Sequence, residues 1–268
     1  MSWLDQIADQ ILEQMVYLAW HQFVRRFSKS LCQILRKKLG INVSLRNTDL
    51  EVIHQSCHYI IVNKCYDVLI NSNSSEDEVT VQMQLRQHFP ALANQNLGHE
   101  FRFAHRLDFA TSGLLCIALH KKAAAAAVKC FVHKRVDKYY LALVRGHVSK
   151  EMLDIYLPID YPATKLLLKP ITGRRHQLRI HLSESGHTIV GDFTYSNRHD
   201  LSPFRMFLHA YRLVLPSEFE YIDVKTEDPF SESDPRNKWV PVETLHELID
   251  ETFVKLKLGR KWYQKNFS

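Results

Sequence analysis

Leu4, Ile7, Ile11, Met15 and Leu18 recur every three or four residues behind Ser2, with Asp5 placed three positions on as in a capping box. Residues 2–39 contain neither Gly nor Pro, and Gly40 follows Lys37 and Lys38, a natural helix stop. The pattern predicts one or two amphipathic helices as an extension over residues 1–45.

From residue 50 the periodicity shortens. VIHQSCHYIIVNK predicts paired strands ending in the turn-like NSNSSEDE, and VTVQMQLRQHF predicts a helix up to Pro90. GLLCIALH reads as a buried strand, KKAAAAAVKCFVHKR as a tightly packed helix, and YYLALVRG and KLLLK as further buried strands. TGRRHQLRIHLSESG runs from loop into helix, FRMFLHAYRLVLP is another strand, and DPFSESDPR is an acidic linker. Residues 241–258 then read as an amphipathic helix before the basic tail GRKWYQKNFS. Short strands alternating with helices predict a mixed α/β or α+β domain.

Composition narrows the class. With 268 residues, 46% of them hydrophobic, the chain can bury a sizeable core. The absence of a run of about 18 apolar residues argues against a membrane span, and the N-terminus lacks the order of a secretory signal. Asp5, Asp9 and Glu13 fit a mitochondrial presequence poorly, so the expectation is an intracellular protein, cytoplasmic or nuclear ahead of mitochondrial. Cys32, Cys57, Cys65, Cys116 and Cys130 form no C-x-x-C pair, which suggests neither a zinc framework nor a disulfide scaffold.

The net charge of +6 is unevenly spread. Residues 101–150 hold ten Lys and Arg against Asp108 and Asp137, and residues 161–183 hold five with no acid, so the remainder carries 6 − 8 − 5 = −7. Two basic segments of this kind suit a polyanion-binding face, and equally the solvated faces of exposed helices.

Asp108 in HRLDFATSGLL follows Arg106 and precedes a Thr-Ser-Gly turn. A carboxylate there either caps the turn or is held ionised for chemistry by a nearby guanidinium. No G-x-S-x-G elbow surrounds Ser112, and no glycine-rich phosphate loop occurs. A glycosidase would need a second carboxylate, and Asp137, beside Lys138, reads as surface. His176 and His181 lie five apart, off the shared face that helical zinc ligands need, so no metal is expected.

HRLDFATSGLL, KYYLALVRG, PITGRRHQLRIH, GHTIVGDFTY and RMFLHAYRL follow one another in the order seen in the RluA-type pseudouridine synthases, which the chain resembles over residues 50–230, nearest to an animal subgroup. The resemblance implies an α+β fold with a mixed, largely antiparallel central sheet flanked by helices and loops. The catalytic domain would cover 50–230, with helical extensions at 1–45 and 236–268. It further implies a monomeric isomerase acting on uridine in structured RNA (tRNA or rRNA), with neither metal nor organic cofactor and no membrane.

Asp108 falls on the family's catalytic aspartate, Tyr140 on the tyrosine that contacts the base and accepts a proton late, and Arg179 on the arginine that pairs with the carboxylate. Because the leaving base is recaptured, one carboxylate suffices, and water must be excluded. Leu107, Phe109 and Leu178 would supply the apolar setting. Arg106 is the candidate to fill the space of a flipped uridine, while Lys64, Arg174, Arg175 and His176 would hold phosphates.

The chain departs from the family in two places. Lys64-Cys65-Tyr66-Asp67 stands where K-P-x-G is usual, and only 23 residues, 147–169, separate Gly146 from Pro170, a shortening that implies a lost strand. The second departure leaves an alternative reading, a non-catalytic RNA-binding protein of the same fold.

Overall fold

A computed structural model describes residues 50–73, 79–148, 163–200, 202–237, 239, 241 and 243–267. The N-terminal extension and the segment of the expected lost strand lie outside the described residues.

The described chain runs β1 (Glu51–Gln55), β2 (Tyr59–Lys64), α1 (Val81–His88), β3 (Arg102–Phe103), β4 (Ser112–Ala118), α2 (Lys121–Val132), β5 (Asp137–Arg145), β6 (Ala163–Leu168), α3 (Gln177–Glu184), β7 (Leu208–Pro216), β8 (Tyr221–Lys225) and α4 (Asp250–Phe267). The strands form one sheet in the order β1-β2-β4-β7-β5-β6, with β3 also on β4 and β8 on β7. Only the β4–β7 pair is parallel.

β2 and β4 are apolar without alternation because both of their faces are covered. Ile61, Leu114 and Cys116 pack under α2, whose Ala123 and Ala127 let the helix lie close to the sheet. Ile60, Val62, Leu115 and Ile117 face Val81 and Leu85 of α1, together with Leu107. The other half of the sheet is layered likewise. Tyr139, Leu141, Leu143 and Leu167 meet Phe230, Trp239 and Phe253 on one face, while Ala142, Val144, Leu166 and Leu168 meet Leu178 and Leu182 of α3 on the other.

The two halves join at a narrow seam. β4 and β7 pair only at Ser112 with His209 and Gly113 with Ala210. Gly113 has φ +112°, and a Cβ there would overlap the Ala210 backbone, so this close crossing requires glycine. Beyond it the strands diverge, and β3 and β8 occupy the freed edges.

A directed hydrogen-bond chain crosses the seam. Thr226 Oγ1 donates to Glu227 O at 2.9 Å, so it accepts from His209 Nε2 at 2.6 Å. His209 Nδ1 therefore accepts from Ser112 Oγ at 2.7 Å, and Ser112 in turn accepts from the buried Arg205. Burial and the Arg205 charge hold His209 well below its ordinary pKa, which keeps that neutral tautomer.

Three features differ from the sequence expectation. β3 and β8 are strands that the periodicity missed, two and five residues long and read only by pairing with neighbours. The terminal helix starts at Asp250 rather than 241, with Asp250 and Glu251 complementing its first turn, and includes the basic stretch up to Phe267. Asp137 is not surface. It is 6% exposed, with Lys169 at 2.6 Å and Lys257 at 3.2 Å, and these cations outweigh burial to hold its carboxyl below the usual range.

Candidate active site

Asp108 lies in the turn that leads into β4, where Thr111 N donates to Asp108 O at 3.1 Å. Leu107 anchors the turn by packing into the layer with α1, as the expected apolar setting requires, whereas Phe109 is exposed.

Lys64 secures the turn from below. Its ammonium donates to Phe109 O at 3.0 Å, Cys65 O at 2.7 Å and Val68 O at 2.7 Å, and the residue is 1% exposed. The expectation that Lys64 holds a phosphate is thus corrected: a buried cation already bonded to three carbonyls ties the Asp108 turn to the end of β2. The substituted K-C-Y-D segment still performs this tie through its backbone.

Burial pushes the Lys64 pKa down to about 7 from 10.5, against the pull of Asp67. Below pH 7 folded and unfolded chains both hold the proton, and the desolvation penalty is fully present. Between about 7 and 10.5 the unfolded chain binds more protons, so stability rises with pH through that window. Lys64→Met removes this gain, and its urea-unfolding free energy relative to wild type is expected to worsen from pH 7 to 10. A difference that stays flat would mean the ammonium keeps its proton.

Arg179, in the first turn of α3, faces Asp108 with Nη1 3.8 Å from Oδ2. Its tight partner is Asp192, which accepts from Nε at 2.6 Å and from Nη2 at 2.7 Å in a two-pronged clamp. Asp192 is 1% exposed and also accepts from Thr194 N at 3.0 Å and Tyr195 N at 3.2 Å, so the 190–196 loop is wound around one carboxylate. Burial opposes the Arg179 charge, but Asp192 outweighs it and raises the pKa further. The Tyr195 ring lies 5.1 Å beneath the guanidinium.

His176 caps α3 in a left-handed conformation, φ 54°. Its Nε2 lies 3.8 Å from Asp108 Oδ1, and its Nδ1 is 3.1 Å from the Tyr195 hydroxyl. Burial and Arg179 hold this imidazole below its ordinary pKa, favouring the neutral form. Gln177 Oε1 accepts from Thr172 Oγ1 at 2.5 Å and Arg174 N at 3.2 Å, which fixes the loop that presents the exposed Arg174 and Arg175.

Tyr140 of β5 packs between the layers that contain Leu107 and Leu178. Burial, and then the Asp108 charge, raise its pKa and keep the phenol neutral. Arg106 is exposed at the head of the Asp108 turn. Sequence reasoning placed no role on Asp192 or Tyr195, although GHTIVGDFTY contains both. Two cavities, of about 490 Å³ beside Lys165 and Trp239 and about 300 Å³ beside Tyr66 and Arg205, are lined by none of Asp108, Tyr140 and Arg179.

A mixed, mostly antiparallel sheet flanked by helices is the α+β fold of pseudouridine synthases. The solved structure of human RNA pseudouridylate synthase domain containing 1 superposes with a TM-score of 0.67 at 36% identity, covering 78% of this chain and 95% of that one. The RNA pseudouridylate synthase family model matches residues 58–184. RNA pseudouridylate synthase domain-containing protein 1 of Danio rerio is 43% identical over 256 residues, 80% of this chain and 86% of the relative. The dual-specificity RNA pseudouridine synthase RluA of Vibrio vulnificus is 31% identical over 237 residues, 70% and 90% of the two chains. The chain belongs to the RluA-type family of RNA pseudouridine synthases.

Proposed function

We propose that the chain isomerises uridine to pseudouridine in RNA, as a monomer, with Asp108 as the catalytic carboxylate and no metal or organic cofactor. The observation that carries this reading is the Arg179 clamp. Asp192 occupies the Nε–Nη2 edge of the guanidinium and leaves Nη1 directed at Asp108, 3.8 Å away. A guanidinium fixed in this way sets a positive charge beside Asp108, a side chain 16% exposed that would be costly to leave without a partner.

In the reaction, Asp108 attacks or assists at the ribose anomeric carbon as the bond to uracil N1 breaks. The detached uracil turns and bonds to the anomeric carbon through C5, Asp108 leaving as a free carboxylate if it had bonded there; C5 then loses its proton while N1 gains one. Base flipping brings the uridine to this site, with Arg106 filling the vacated stack. Arg174, Arg175 and His176 hold flanking phosphates.

Tyr140 is neutral in the resting site, which suits packing against the base. The test is release of tritium from C5-tritiated uridine RNA. Release above a no-protein control is expected. Salt-sensitive RNA binding without release would instead establish a non-catalytic RNA-binding protein on the same fold.

A further inference from the structure

We propose that the corner formed by the α2–β5 turn and the 170–176 loop is a phosphate track that guides an RNA strand away from Asp108. The inference rests on the RNA-directed function above and extends the substrate beyond the flipped nucleotide.

The turn after α2 carries Lys134 and Arg135, both exposed. Lys134 has φ 54°, and backbone bonds from Lys134 N to Phe131 O at 3.1 Å and Arg135 N to Cys130 O at 2.9 Å fix the turn. Three residues beyond Arg135, Lys138 Nζ donates to Thr172 O at 3.1 Å and lies against Gly173. The α2–β5 turn and the arginine loop are therefore in direct contact. The loop continues into His176 and Arg179, both 3.8 Å from Asp108.

Among described residues 101–148 the carboxylates are Asp108, in the cleft, and Asp137, which is buried and bonded to Lys169 and Lys257. From the cleft outward the surface thus presents Arg175 and Arg174, then Lys138, then Arg135 and Lys134. A run of cations that adjoins the site of base chemistry fits the backbone of the same RNA better than a separate acidic protein.

Lys134→Glu/Arg135→Glu tests this through anisotropy of a fluorescein-labelled, uridine-containing RNA hairpin with a single-stranded tail. Binding is expected to weaken about tenfold at low salt, and the slope of log affinity against log salt to become shallower by about 1.4, the share of two single-strand phosphates. Lys134→Ala/Arg135→Ala, which adds no carboxylate, is expected to fall in between. Lys121→Glu/Lys122→Glu, an equal charge change at the other end of α2, is expected to bind like wild type.

Equal losses from the two charge-reversed pairs, or competition by polyglutamate as effective as by RNA, would overturn the track. A wild type that releases tritium while Lys134→Glu/Arg135→Glu binds as tightly overturns the track alone. A wild type without salt-sensitive RNA binding overturns both the track and the function on which it rests.

Discussion

Asp108→Asn is expected to slow tritium release from C5-labelled RNA by about 10⁴-fold under single-turnover conditions, with RNA affinity equal to or tighter than that of wild type. The asparagine keeps the shape of the side chain and changes only its charge and nucleophilicity, so the Asp108 turn, held by Thr111 and Lys64, has no reason to move. Affinity does not fall because removing a negative charge from a cationic cleft relieves repulsion of phosphate. A variant that retains release within tenfold of wild type would remove Asp108 from the chemistry.

Asp192→Ala is expected to be the most destabilising single change in the site, about 3–5 kcal/mol by urea unfolding. The substitution strands the Arg179 guanidinium, a 6% exposed cation, without its two-pronged partner. It also frees the backbone groups of Thr194 and Tyr195 that Asp192 accepts. Asp192→Ala combined with Arg179→Met is expected to recover part of the lost stability, because the stranded guanidinium is gone although Asp108 loses its cation, while remaining inactive. A double variant no more stable than Asp192→Ala would show that the loop bonds, and not the stranded charge, dominate.

The elements that wrap apolar residues were legible in sequence, since burial on both faces writes itself as an unbroken run, as in YIIVNK and SGLLCIA. β3 and β8 left no such trace because their existence depends on the divergence of β4 and β7. In the site, Asp108, Tyr140, Arg179 and His176 do converge on one face of the sheet. Lys64 and Asp137 were misread for a common reason: a charged residue looks like surface until its partners, carbonyls in one case and two lysines in the other, are known in space. Asp192 was hidden because nothing in its own neighbourhood of sequence names Arg179, 13 residues earlier, as its partner.

The seam at Gly113 and Ala210 runs between the residues proposed for catalysis. Asp108 belongs to the half built on β2 and β4, and Arg179, His176 and Tyr140 to the half built on β5 and β6. β4 and β7 pair at only two positions, so the placement of this crossing sets the gap between carboxylate and guanidinium. The bond chain from Arg205 through Ser112 and His209 to Thr226 fastens that crossing four residues beyond Asp108. Substitutions there are therefore felt as a change in reach between Asp108 and Arg179, although none of those four side chains is a partner of either.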